Sequence, residues 1–227
     1  MKLRGWQCPS VGPRRGTLVY LHGIADNRES GTGVIERFQE RGFDLVAYDS
    51  RAHGESEGEF CTYGVLESQD LRRVLDTVAP GPIVLLGTSL GAAVALQGAA
   101  QDRRVTAVIA AEAFSDLRTV AIERAPILFT PRMIDQAFRL VERRWGFEVD
   151  AASPVEKARE IQIPVLLIHG ETDTETPPDH SQRVLAALGG PKRLILVPGA
   201  GHNQSLSGDV WMQIVGWLDA VLGSGPV

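Results

Sequence analysis

Cysteine is scarce in this 227-residue chain, which holds only Cys8 and Cys61. Two thiols without metal-ligand spacing build neither a disulfide framework nor a zinc site, so both read as reduced structural residues. No apolar run approaches the ~18 residues of a membrane span, and the leading MKLRGWQCPS lacks the apolar core of a signal peptide. A cytoplasmic protein with no membrane span is the expectation. Positive charge is not in excess either. Lys and Arg number 23 against 28 Asp and Glu, for a net charge of -5, and the basic residues are scattered. That balance excludes the basic footprint of a nucleic-acid partner.

What is present is an ordinary globular composition, 44% hydrophobic and 22% charged, of a length that suits one domain over residues 1–227. Short apolar runs occupy residues 17–21 (TLVYL), 44–48 (DLVAY), 83–86 (IVLL), 105–110 (VTAVIA), 165–168 (VLLI) and 194–197 (LILV). They are nearly continuous rather than alternating, as strands are when helices cover both faces of a parallel sheet. Helical spacing occupies residues 33–41, 66–78, 91–100, 180–188 and 210–222. In the second of these, Leu71, Val74, Leu75 and Val78 form the apolar stripe, with Asp70, Arg73 and Asp76 expected toward water. The alternation predicts an α/β fold, with a mostly parallel sheet, helices on both faces and right-handed crossovers. One interval breaks the rhythm. Residues 115–160 hold only helix-like text, at 117–124 and 131–145, punctuated by Pro126, Pro131 and Pro154. A short helical cap over a site is expected there. Residues 223–227 read as a terminal tail.

The strongest chemical signal is Gly87-Thr88-Ser89-Leu90-Gly91, a G-x-S-x-G pattern between the apolar run PIVLL and the small-residue helix AAVALQGAA. A turn that tight needs minimal side chains on either side of the serine and lifts its hydroxyl off the sheet edge. A hydroxyl becomes a nucleophile only when a base takes its proton. Of the five histidines, His202 sits in a glycine-rich loop after the last strand, free to reach the serine. His22 and His169 end strands and read as buried and hydrogen-bonded, whereas His180 lies in helical text and is expected at the surface. The base in turn needs a carboxylate to fix its tautomer. Asp173, after the run VLLI, is the candidate, with Glu171, Glu175 and Asp116 as competitors. Oxyanion donors are expected from the amide of Leu90 and from that of Ile24 or Ala25, in the loop LHGIAD.

Together LHG, YDSRAHGES, GTSLG, SPVEKAREIQIPVLLIHGETDTETPP and GAGH resemble the α/β-hydrolase superfamily over roughly residues 18–222. They look most like its small serine hydrolases related to prolyl-oligopeptidase catalytic domains. The resemblance implies an α/β-hydrolase fold and a triad of Ser89, Asp173 and His202, in the chain order this fold uses. It also implies oxyanion donors at Leu90 and at Ile24 or Ala25. No metal or organic cofactor is implied, and the partner is a small-molecule ester or acyl substrate. In YDSRAHGES the resemblance gives His53 a loop-holding role. Ala52 and Ala92 stand where the family often has glycine. Only residues 1–8 are available for the family's leading antiparallel strand pair. The expected activity is hydrolysis of a carboxylic ester or thioester through an acyl-serine. Amidase or peptidase action on the same triad is the alternative, and a non-catalytic binding protein of the same fold is the alternative of another class. Ile122, Ile127, Leu128, Phe129, Met133, Ile134 and Phe138 are expected either to line an acyl pocket or to pack the cap onto the sheet.

Overall fold

The computed structural model describes residues 1–223; residues 224–227, most of the expected tail, lie outside the described residues. A short strand that the apolar pattern did not announce, β1 (Gly5–Cys8), precedes the six that it did. These are β2 (Gly16–Leu21), β3 (Phe43–Tyr48), β4 (Ile83–Thr88), β5 (Val105–Ala111), β6 (Val165–Gly170) and β7 (Lys192–Val197). They form one sheet in the order β1-β3-β2-β4-β5-β6-β7, with β1 antiparallel to β3 and every other pairing parallel. β1 therefore supplies one leading antiparallel strand where the resemblance implied a pair. It escaped the sequence pattern because it is a four-residue edge strand, alternately exposed and half-buried.

The helices are α1 (Thr32–Gln39), α2 (Val65–Leu75), α3 (Leu90–Gln101), α4 (Leu117–Glu123), α5 (Pro131–Trp145), α6 (Pro154–Ala158), α7 (Asp179–Ala187) and α8 (Val210–Leu222). On one face of the sheet Phe38 of α1 and Ile214 and Leu218 of α8 pack with Leu18, Val84 and Ile109. On the other, Leu71 of α2, Leu96 of α3 and Val184 of α7 pack with Leu85, Val108 and Leu167. Coverage on both sides is why β2 and β6 are buried at every position. Cutting a fully buried leucine such as Leu96 back to alanine removes about 2–5 kcal/mol of stability. Asp70 departs from the expected polar face of α2. It is buried, and the Arg51 guanidinium donates to it over 2.6 Å.

The predicted cap comprises α4, α5 and α6. Asp116 and Thr130 cap the first two by accepting from the amides of Thr119 and Met133, Pro131 occupies the first turn of α5, and Gly146 ends it at φ 67°. Phe114, Leu117, Phe147 and Val149 seat the root of the cap against Ala93 of α3. The apolar residues expected to line a pocket or pack the cap do neither for the most part. Ile122, Ile127, Leu128, Phe129 and Met133 are exposed, and only Ile134 is buried. Among the described residues no helix is long and apolar enough to cross a membrane.

The connection from β2 leads to β3 on one side, and the next strand, β4, lies on the other side of β2. This reversal opens a crevice beyond the carboxyl ends of β2 and β4, where open α/β sheets hold their ligands.

Candidate active site at the carboxyl edge of the sheet

Between Thr88, which ends β4, and Leu90, which begins α3, the chain turns on the single residue Ser89. Its φ of 49° and ψ of -113° are costly for a residue with a Cβ, of order 1–3 kcal/mol. The surroundings enforce that conformation. The Ser89 amide donates to Ala111 O over 2.8 Å, tying the turn to the end of β5. A Cβ on Gly87 would lie 2.2 Å from Gly91 O, and one on Gly91 would lie 2.0 Å from Leu21 O. Both glycines are fixed by backbone crowding.

The histidine loop after β7 carries His202 over this turn. His202 Nε2 lies 2.9 Å from Ser89 Oγ, and its Nδ1 lies 2.6 Å from Asp173 Oδ2. Because the carboxylate accepts from Nδ1, the Nε2 lone pair faces the hydroxyl, the tautomer that can receive its proton. The loop after β6 presents Asp173, which is buried and accepts through Oδ1 from the amides of Glu175 and Thr176, each over 2.9 Å. Burial works to raise the Asp173 pKa. Hydrogen bonds from His169 and His202, together with the Thr176 amide, outweigh it and hold the carboxyl below its ordinary range. Burial conversely works to lower the His202 pKa, but the hydrogen bond and charge of Asp173, aided by Glu112, leave it raised. The competing acids lie elsewhere: Glu171 and Glu175 are exposed, and Asp116 caps α4.

Two residues around this chain had no assigned part. His169 was expected to be buried and hydrogen-bonded, and it is, but with a purpose. Its Nε2 contacts Thr176 O at 2.7 Å and Asp173 Oδ2 at 3.3 Å, while Nδ1 meets Ser181 Oγ at 2.7 Å. Glu112, at the end of β5, was missed. It is buried, adopts a φ of 58°, and accepts from three successive amides, Asn203, Gln204 (3.2 Å) and Ser205 (3.0 Å). Its Oε2 lies 4.0 Å from His202 Nδ1. The available signal was a carboxylate closing the apolar run VTAVIAAE, where a strand meets the sheet edge. Glu112, Asp173 and His202 bring ligand-type atoms within 4.8 Å of one another. The amides and the imidazole described above already occupy those atoms.

The loop after β2 is pinned from behind. His22 Nε2 accepts from the Ser50 amide over 2.9 Å, and Nδ1 donates to Gly23 O over 2.7 Å. In a trans peptide that orientation turns the Ile24 N–H away from His22. A Cβ at Gly23 would lie 3.6 Å from Ser89 Cβ, so this peptide borders the serine. Leu90 opens α3, where amides have no partner within the helix. A cavity of about 500 Å³ lies alongside, its walls including Gly23, Ile24, Ala25, Thr88, Glu112 and Asn203. His180, expected at the surface, is instead buried away from the serine. Its Nδ1 accepts from the Ser115 amide over 2.9 Å and its Nε2 donates to Glu123 over 2.7 Å, joining α7 to α4.

Residues 18–212 match the profile of the alpha/beta hydrolase family. The chain belongs to that family. The Escherichia coli K12 protein YfhR is 30% identical to this α/β hydrolase over 93% of the chain and 74% of YfhR. A monoacylglycerol lipase of Paleococcus ferrophilus superposes with a TM-score of 0.75 at 24% identity, covering 97% of this chain and 99% of that one. An esterase of Pyrococcus furiosus gives 0.72 at 20% identity, covering 98% and 92%. At these identities the two structures speak for the fold. Two features of the family pattern take physical form in this hydrolase. Asp49 accepts from the amides of Arg28 and Glu55, each over 2.8 Å, and pairs with the Arg28 guanidinium, fastening the segment after β2 to the turn after β3. Ala52 sits at a φ of 59°, the left-handed region where glycine is unstrained, so its substitution for glycine carries a backbone cost.

Proposed function

We propose that this α/β hydrolase is a serine esterase that cleaves carboxylic esters or thioesters through an acyl-Ser89 intermediate. The observation that carries the reading is the continuous hydrogen-bonded chain from Ser89 Oγ through His202 to Asp173, at the rim where the fold binds ligands. Ser89 Oγ attacks the ester carbonyl carbon while its proton passes to His202 Nε2. Asp173 stabilises the imidazolium, and the amides of Leu90 and Ile24 receive the oxyanion. His202 returns the proton to the departing alcohol. Water, deprotonated by the same imidazole, then attacks the acyl carbon, freeing the acid and restoring the Ser89 hydroxyl. A cavity of about 500 Å³ adjoins Ile24, Ala25 and Thr88, a volume within the range of small-molecule sites.

The test is covalent labelling by a fluorophosphonate probe together with hydrolysis of short p-nitrophenyl esters. Wild-type protein should label and turn over; Ser89→Ala should do neither. Turnover by Ser89→Ala at the wild-type rate would refute the assignment. Absence of both activities in the wild type would favour a binding protein.

A further inference from the structure

Helix α5 carries apolar surface that its own fold does not use. Among the described residues twelve large hydrophobic side chains are exposed, and seven of them lie between residues 122 and 141. Leu128 is 84% exposed and Ile127 fully so. The spacing explains the division. Ile134, Phe138 and Trp145 share the face that turns toward the protein body. Met133 and Leu140, seven residues apart, form a second stripe beside it, and that stripe faces outward. Beyond this stripe Arg132, Arg139 and Arg143 recur on a third strip. All three are exposed and enter no ion pair among the described residues, the helix's one such bond being Asp135 to Arg118. The helix thus bears four arginines, with Arg144, against Asp135 and Glu142, on a chain whose net charge is -5.

We propose that α5 and the segment leading into it dock on an anionic lipid surface. The apolar stripe would reach the acyl-chain boundary, with the arginines extended among the headgroup phosphates. Charge decides against a second copy of the chain as the occupant. A two-fold contact through this helix would set its arginine strip against its own image. Shape agrees, since side chains as protruding as Ile127 and Leu128 suit a fluid apolar phase that closes around them. The inference is independent of the chemistry at Ser89.

Flotation of the full chain with vesicles tests it without any activity measurement. Vesicles of phosphatidylglycerol mixed with phosphatidylcholine should carry the protein, and pure phosphatidylcholine vesicles should not. Half-molar salt should release it. Arg139→Glu with Arg143→Glu should weaken binding by at least about fivefold per arginine, and Met133→Asp with Leu140→Asp should abolish it. All four positions are exposed, and an unchanged thermal unfolding midpoint checks that the variants remain folded. Wild-type protein that stays unbound at excess anionic lipid overturns the proposal, as does equal binding by the variants. So does a dimer lost on Leu140→Asp in a protein that no vesicle carries.

Discussion

Replacing Glu112 by glutamine removes one negative charge 4.0 Å from His202 Nδ1 while keeping the side chain's length. At that distance a unit charge is worth about 4 kcal/mol at an effective dielectric of ~20, and about 1 kcal/mol in water. Both side chains are buried, His202 5% and Glu112 1% exposed, so solvent screens the interaction less than it would at the surface. Loss of the carboxylate should therefore lower the His202 pKa. The sign follows from the imidazolium being the form that the anion favours. The base must be neutral to act, and Asp173 and Glu112, with Glu175 further off, raise its pKa. The acid limb of kcat/KM therefore lies above pH ~6.5 in the wild type and moves to lower pH in Glu112→Gln. The substitution also leaves one carbonyl oxygen where two carboxylate oxygens accept three amides. kcat should consequently fall by about tenfold or more, with KM less affected. Profiles of p-nitrophenyl acetate hydrolysis, paired with an NMR titration of the His202 ring, measure both effects. An acid limb and a ring pKa that both stay at the wild-type position would refute the electrostatic reasoning, whatever happens to stability.

Three further outcomes are expected. Ile24→Pro deletes the amide assigned to the oxyanion and should lower kcat by roughly 100- to 1000-fold; a near-normal kcat would move the role to Ala25. Gly91→Ala places a Cβ 2.0 Å from Leu21 O, backbone against backbone. Its thermal midpoint should drop by roughly 6 °C or more, from a loss of about 3 kcal/mol or more. Burial lowers the His180 pKa more than Glu123 raises it, so the folded state holds this ring neutral. That contribution to stability is present above pH ~6.5, the unfolded value, and is lost as pH falls toward the folded one. Denaturant midpoints of His180→Gln should therefore decline less steeply than wild type on acidification below that pH.

Local chemistry wrote most of the scaffold and three residues of the candidate site into the sequence. Short continuous Val, Ile and Leu runs between helical stretches read as strands covered on both faces, and G-x-S-x-G between such a run and a small-residue helix is a specific pattern. The hydrogen-bonded chain of Ser89, His202 and Asp173 was legible because each member follows its own strand and carries a distinctive side chain. Glu112 was not, because its function lies in accepting amides 91 to 93 residues further along the chain. His180 and Asp70 read as surface residues because helical periodicity records which side of a helix a residue occupies, and nothing about what later packs there. Their partners, Glu123 and Arg51, come from other segments. The cap misled in the opposite sense, since its apolar residues are real but the fold turns most of them outward. Sequence alone determined that Ser89, Asp173 and His202 each follow a strand, because the alternation of apolar runs and loops along the chain is a local property. Only the tertiary structure decided which carboxylates stay buried and what they hold, because burial and long-range hydrogen bonds exist only once the chain has closed on itself.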